Sequence, residues 1–381
     1  MAVIYLDNNS TTRVAPEVVS AMTPFWHEQF GNPSSIHRIG QAARHAVEVA
    51  RGRVAALIGA RPRDIVFTSG GTESDNLAIL GTLAAYPAKR HLVTTPVEHV
   101  AVHSLCERLE TEGYGVTRLN VDQRGSLRLD EFRAAIRDDT ALVTIMHANN
   151  ETGVIFPIEE IAAVCAERGI PLHVDAVQTV GKLPIDVKRL GVNLLSLSAH
   201  KIHGPKGVGA LYIGRKTRLR NQLVGGHQER DVRPGTENVA GIVGFGEAAR
   251  LALERVNAGG WNRVAELRDE LKSAILAAIP IARVIGGDSA RIPNTVNIAF
   301  QSLEAEAILI SLSEQGVCAS SGSACSSGSL EPSHVLSAMG IDERLAHGSI
   351  RFSLSTETTA EEVRETVQVV RRVVDKLAAL T

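Results

Sequence analysis

The sequence predicts an α/β fold: a mainly parallel sheet covered by helices, with a smaller α+β domain after it. Three observations predict it. Apolar runs of strand length alternate with segments of helical period from Ile65 to Ile213. After about Thr236 that alternation gives way to long helices interleaved with isolated strands. The 381 residues, 44% of them apolar, suffice for two domains with sizeable cores. Strand–helix alternation is what parallel crossovers need, whereas mixed runs suit an α+β unit.

In chain order, a polar opening leads to a helical pattern over Ile39–Leu57. Seven runs then read as strands: Ile65–Thr68, Leu92–Thr95, Gly115–Leu119, Leu142–His147, Leu172–Val174, Leu194–Ser198 and Gly209–Ile213. Between them lie helical patterns at Glu73–Leu83, Val100–Glu110, Leu129–Ile136 and Ile158–Arg168. A helix over Asn238–Val256 ends before Gly259-Gly260, and another covers Trp261–Ala278. Strands Arg283–Ile285 and Thr295–Phe300, a helix Glu304–Glu314, a strand Ser349–Leu354 and a helix Ala360–Leu380 complete the chain. There is no internal repeat and no low-complexity tract.

A formal net charge of −2 without a basic or acidic block argues against nucleic-acid or membrane-surface binding. Met1–Asp7 has no basic segment ahead of an apolar one, so no signal peptide is expected. No apolar run reaches the roughly 18 residues of a membrane helix. A cytoplasmic protein is the expectation. The four cysteines, Cys106, Cys165, Cys318 and Cys325, form no C-x-x-C pair and no zinc spacing. Cys106 and Cys165 fall in helical patterns and read as core residues, as does Cys318 in a short strand-like run.

Three segments carry chemistry. In Thr68-Ser69-Gly70-Gly71-Thr72-Glu73-Ser74 a strand runs through two glycines into a helix. Unpaired N–H groups there suit an anion, or simply mark a capped helix behind a turn. In Leu172-His173-Val174-Asp175 an acid ends an apolar strand, where open α/β sheets bind ligands; an Asp there also serves as a plain helix cap. In Ser198-Ala199-His200-Lys201 a lysine follows another strand, ahead of a Gly/Pro turn. A partly desolvated lysine is nucleophilic and suits a Schiff base, and a surface turn is the alternative. Together they supply a phosphate cradle, a carboxylate for a pyridinium and an amine for an aldehyde, the three requirements of pyridoxal 5'-phosphate (PLP).

At these residues the sequence resembles the cysteine desulfurases of the class V aminotransferase family, nitrogen-fixation and iron–sulfur-cluster type (NifS/IscS-like). The likeness runs from Tyr5-Leu6-Asp7-Asn8-Asn9-Ser10-Thr11-Thr12 to the chain's end. It includes Phe30-Gly31-Asn32-Pro33, Asn149-Asn150-Glu151-Thr152-Gly153, Arg233-Pro234-Gly235-Thr236-Glu237-Asn238, Ser320-Ser321-Gly322-Ser323-Ala324-Cys325 and Arg351-Phe352-Ser353-Leu354. The resemblance implies a fold type I PLP-dependent transferase whose large domain holds a mainly parallel seven-stranded sheet. It implies a large PLP-binding domain over 13–255, and a small domain from 1–12 and 256–381 that carries the cysteine loop.

By resemblance Lys201 is the Schiff-base lysine and Asp175 the pyridinium partner, with Gln178 at the ring oxygen. Gly71, Thr72, Ser198 and His200 match the phosphate cup, and Thr236 matches a residue reaching it from the partner subunit of a homodimer. His99 matches the ring-stacking histidine and acid/base, and Asn150 a ring-contacting amide. Arg351 matches the clamp on the substrate carboxylate, assisted by Asn32. The implied reaction takes sulfur from L-cysteine, releases L-alanine and leaves a persulfide on Cys325. The sulfur then passes to an iron–sulfur scaffold or other acceptor protein, for nitrogenase or for general cluster assembly. Cys325 is also implied as a transient iron–sulfur ligand. Many relatives carry a further C-terminal tail for scaffold docking, so that docking mode is not expected of a chain that stops at Thr381.

Residue chemistry supports part of this independently. Cys325 sits in a small, polar Ser/Gly stretch, whereas structural cysteines prefer apolar packing. Arg351 lies in an apolar strand run and needs either a solvated face or an anionic partner, which a bidentate carboxylate would provide. His99 and His103 are spaced i,i+4 but lack the Glu of H-E-x-x-H and a third ligand, so a metal pair is not expected. Glu73 and Glu151 read as supporting or capping residues. The alternatives are a selenocysteine lyase or another fold type I transaminase or lyase. A transaminase would leave Cys325 without a role. A platform that docks an iron–sulfur scaffold is a binding role compatible with catalysis.

Overall fold

Twelve strands are described: β1 (Ile4–Tyr5), β2 (Ile65–Thr68), β3 (His91–Thr94), β4 (Gly115–Arg118), β5 (Thr140–Met146), β6 (Leu172–Asp175), β7 (Leu194–Ser198), β8 (Gly209–Ile213), β9 (Ala282–Ile285), β10 (Thr295–Phe300), β11 (Val317–Cys318) and β12 (Ser349–Ser353). The computed structural model describes residues 3–322 and 332–380. All seven strands expected between Ile65 and Ile213 join one sheet in the order β2-β8-β7-β6-β5-β3-β4. From β7 to β4 every pair is parallel. Only β8 runs against its neighbours. A parallel return needs a crossover of roughly a dozen residues or more. Residues 199–208 are too few and form tight turns, so the chain doubles back.

The sheet's central strands are buried along their whole length, as expected where helices cover both faces. The crossover helices are Gly71–Ala85, Val100–Thr111, Leu129–Ala135 and Ile158–Arg168. Gly71–Ala85 starts directly beyond β2. Its approach depends on glycine: a Cβ on Gly209 would lie 2.6 Å from Leu197 O and 2.7 Å from Gly70 Cα. The turn before that helix can therefore rest against the start of β8. Helix Arg38–Leu57 packs on Val239–Asn257, and their apolar faces join the main core.

A second core lies around the antiparallel sheet β12-β10-β9 and helices Asn262–Ala278, Ala305–Glu314 and Ala360–Ala378. Ile4 and Leu6 belong to it, because β1 pairs in parallel with β11. Strand β1 and the helices Pro16–Met22, His334–Ala338 and Glu343–Ala346 were not legible in the sequence, being too short to show a period, whereas β11 falls on the strand-like run expected at Cys318. Cys106 and Cys165 are buried, and burial pushes both thiols up to about 12. Cys318 differs from expectation: in its two-residue edge pairing with Tyr5 it is half-buried rather than core. No helix among the described residues is long and apolar enough to cross a membrane.

Candidate active site

The carboxyl ends of β5, β6 and β7 open into a cavity of about 450 Å³. That is where open α/β sheets place ligands, because crossover helices start there and leave unpaired N–H groups. At one wall the Gly71–Ala85 helix presents its first residues, Gly71 and Thr72. Gly71 packs so closely on Val177 that a Cβ would lie 2.9 Å from its side chain. Ser198, the last residue of β7, turns in beside them, and its Oγ is buried with no hydrogen-bond partner. A buried hydroxyl without a partner is costly, and an anion seated at this helix start would relieve it. His200 completes the wall. Its Nδ1 lies 3.2 Å from Thr11 Oγ1, and burial, aided by Lys201 and Lys206, lowers its pKa to about 4.

Asp175 ends β6 on the cavity floor, with one carboxylate oxygen accepting from Val177 N at 2.9 Å. Burial raises its pKa, while His99, that N–H and Lys201 pull the other way. A cationic ring nitrogen against it would restore the charged form. Asp75, one turn into the helix, is buried nearby, and burial plus the Asp175 charge raise it well above the ordinary range. His173 Nε2 lies 3.5 Å from Asp75, but burial lowers this imidazole to about 3, so the contact is no ion pair.

Lys201 lies in a single 3-10 turn directly after β7. Its Nζ donates to Ser10 O at 2.7 Å and to Asn9 O. Asn9 also receives Gln178 Nε2 on its carbonyl (3.0 Å) and Lys182 Nζ on its side chain (3.1 Å). Lys182 donates a second bond to Gln178 Oε1 at 2.9 Å, which fixes how that amide is turned. Buried fully, Lys182 has its pKa lowered far below the usual value, first by desolvation and then by Lys201 and Arg351.

His99 caps the Val100–Thr111 helix, its Nδ1 accepting from Ala101 N at 3.2 Å. The neutral ring therefore carries its proton on Nε2. Burial lowers its pKa despite Asp175, with Lys201 and His334 adding to the shift. Arg351, at the centre of β12, is 3% exposed. It bonds Asp7 (2.9 Å), Ser10 Oγ (2.7 Å) and the Asn150 carbonyl (3.1 Å), while its Nε is buried without a partner. A guanidinium held this way at a cavity wall has a donor left for an incoming carboxylate.

The cavity thus brings together Gly71, Thr72, His99, Asn150, Asp175, Gln178, Ser198, His200, Lys201 and Arg351. Asn32 stands elsewhere: it is exposed, its side chain accepts from Ser34 N, and it does not line the cavity. Thr236 is exposed and also outside the lining. Cys325 lies outside the described residues. His103 pairs with Glu107 at 3.4 Å and stacks on His334, with ring centroids 4.6 Å apart. Among the described residues no cluster of His, Cys, Asp or Glu could hold a metal. Glu73 is the capping residue expected, bonded to Ser69 N and to Arg233.

Sequence reasoning missed Asn9, Asp75, Glu98, Lys182 and His334. Burial raises Glu98 to about 8, behind the His99 cap. Each is a polar residue that one-dimensional patterns assign to a turn or a helix surface, and only the folded sheet encloses it.

The Aminotransferase class-V family model matches residues 4–365. The chain is 54% identical over 381 residues to a cysteine desulfurase of Trichormus azollae, covering all of this chain and 95% of that one. Its fold resembles a solved NifS-like protein, with a TM-score of 0.92 and 38% identity over 98% of this chain and 100% of the other. It also resembles SspA, solved in complex with cysteine, with a TM-score of 0.81 and 37% identity over 93% of this chain and 100% of that one.

Proposed function

The chain belongs to the class-V aminotransferase family and is a cysteine desulfurase, and we propose that it works with PLP carried on Lys201 and a persulfide formed on Cys325. The observation that carries this is the convergence of Lys201, Asp175 and the unpartnered Ser198 Oγ on one cavity. Family membership implies PLP, and these residues fit it. The helix start at Gly71 and Thr72, with Ser198 and His200, would hold the phosphate. Asp175 would face the ring nitrogen, His99 the ring face, and Asn150 and Gln178 the ring substituents. Bound there, PLP supplies an electron sink that makes proton loss at the substrate α-carbon and cleavage of the carbon–sulfur bond feasible.

The chain's own residues do the rest. Arg351 orients L-cysteine through its carboxylate, with Asp7 and Ser10 holding the guanidinium still. Lys201 Nζ moves the α-proton, and His99 Nε2 is placed to exchange a proton on the cavity side. Asp175 keeps its charge opposite a cation, with the polar wall of Asp75 and His173 behind it. The Cys325 thiolate takes the substrate sulfur, so that L-alanine leaves and the sulfur stays bound as a persulfide.

Thr236, exposed on this chain, would complete the phosphate cup of a second subunit. Exposed Trp26, Phe30, Ile36 and Val224 give a homodimer apolar surface to cover. The sulfur acceptor is an iron–sulfur scaffold or similar protein. Service to nitrogenase, and transient iron–sulfur ligation at Cys325, rest on the NifS-like resemblance.

The test is to incubate the purified protein with L-cysteine and map the modified peptide by mass spectrometry. An added sulfur on the Cys325 peptide, with alanine released and no partner protein present, is the expected result. Replacing Cys325 with Ala should abolish both while the bound cofactor persists, and Cys318→Ala should keep most activity. A persulfide on Cys318 instead would overturn the assignment.

A further inference from the structure

Glu151 stands out among buried groups that the reaction above does not use. It is 2% exposed and lines the cavity. Its Oε2 accepts a 2.6 Å hydrogen bond from Ser333 Oγ. The same oxygen packs against Gly322, so tightly that a Cβ on Gly322 would stand 2.3 Å from it and 2.8 Å from the carboxylate carbon. Gly322 and Ser333 flank the segment that contains Cys325, from opposite ends in sequence.

Both flanks are fixed in other ways too. Ser320 pairs with Arg351 through two backbone bonds of 2.7 and 3.2 Å. Ser333 caps the His334–Ala338 helix, accepting from Val335 N. Glu151 itself is locked in the turn after β5, with Asn149 Oδ1 accepting its N–H at 2.9 Å and Asn297 donating to its carbonyl. Burial raises its pKa, while Ser333, His334 and Arg351 pull it down.

The geometry points to Glu151 as a positioning residue for sulfur transfer, its carboxylate clasping Gly322 and Ser333 and so setting the approach of Cys325 to the substrate. Replacing the carboxylate removes one shared tether from both flanks at once. The inference rests on the proposal that Cys325 is the sulfur acceptor. Misplacing a reacting group by about 1 Å costs up to roughly a hundredfold in rate. PLP binding and L-cysteine binding should not change, since neither uses Glu151.

The test uses the PLP-loaded full chain with Glu151→Ala, Gly322→Ala and the double variant, plus Ser333→Ala as a milder change. Cofactor absorbance and its titration with L-cysteine report binding; single-turnover mass spectrometry reports persulfide on Cys325. Expected for each single variant are an unchanged cysteine titration and a persulfide rate reduced about ten- to a hundredfold, less for Ser333→Ala. The double variant should be no slower than Glu151→Ala, because removing the carboxylate makes room for the new methyl group. Undiminished persulfide rates in Glu151→Ala and Ser333→Ala, or rate losses that multiply in the double variant, would overturn the clasp while leaving Cys325 as the acceptor. No persulfide on wild-type Cys325 would instead sink the reading beneath it.

Discussion

Single side chains test the proposal that the cavity holds PLP and L-cysteine. Lys201→Ala should remove the visible absorbance of a lysine-bound cofactor, and borohydride treatment of the wild type should fix the cofactor to the peptide containing Lys201. Label at Lys206 would show the wrong lysine had been chosen. Arg351→Ala should act on substrate affinity, because a charge-assisted bond contributes about 1.5–3 kcal/mol. That corresponds to a loss in kcat/KM of about ten- to a hundredfold, with cofactor occupancy retained. Asp7 loses its ion-pair partner in that variant, so Arg351→Lys should recover only part of the loss. An unchanged KM for L-cysteine in Arg351→Ala would refute the clamp.

At the scale of elements, helix Arg38–Leu57 is tied to the sheet by a buried fork. Arg51 meets both Glu229 oxygens at 2.7 and 2.8 Å, and Glu229 also accepts from Phe67 N in β2. Glu229→Ala leaves buried Arg51 with only the solvent-exposed Glu48 carboxylate and the Ile65 carbonyl as partners, which costs up to about 3–5 kcal/mol. Denaturant unfolding should show a loss of unfolding free energy of that order, larger than for exposed Arg189→Ala, whose ion pair with Glu159 is solvated. The residue after β5, His147, gives a pH signature. It is buried against Thr179, and burial lowers its pKa from 6.5 to about 4. The unfolded chain therefore takes up a proton near pH 6.5 that the folded chain refuses until about pH 4. Its contribution to stability is full above pH 6.5 and is lost as pH falls through that window. Between pH 6.5 and 5 the loss is about 2 kcal/mol. His147→Gln should flatten that part of the stability profile; an equally steep profile would refute the assignment.

At the scale of the whole molecule, the two apolar cores meet at the cavity: the large sheet supplies Asp175, Ser198 and Lys201, and the small antiparallel sheet supplies Arg351. We propose domains at 13–255 and at 1–12 with 256–381, the second lending Ile285, Ala299, Val335, Leu336, Met339 and Ala346 to the first core. Asn9 stitches the two, bonding Thr295 and Asn294 on one side and Gln178 and Lys182 on the other. If Thr236 serves a second subunit, Thr236→Ala and Lys201→Ala chains should complement. Each mixed dimer then holds one complete site, so mixing should raise cofactor retention and activity above either variant alone. No recovery on mixing, or sedimentation as a monomer, would refute the shared site.

Strand–helix alternation, the turn at Gly70-Gly71, the acid ending β6 and the lysine following β7 were legible in the sequence, because each is local and each carries its chemistry within a few residues. The antiparallel turn of β8 was legible only as a short connection, and the pairing of β1 with β11 not at all, since two-residue strands have no period. Asn32 shows the reverse case: its local string resembles the family's, whereas its side chain lies on the surface of this chain, bonded to its own turn. What the sequence by itself determined was the family and the order of elements, and it supplied the residues proposed to hold the cofactor. Only the tertiary structure decided that Arg351 keeps one donor unpartnered, that Lys182 turns Gln178, and that Glu151 meets Gly322 and Ser333. The Arg351 and Glu151 contacts join residues far apart in the chain, and burial, which also sets the charge of Lys182 beside its near neighbour Gln178, exists only after the two cores close.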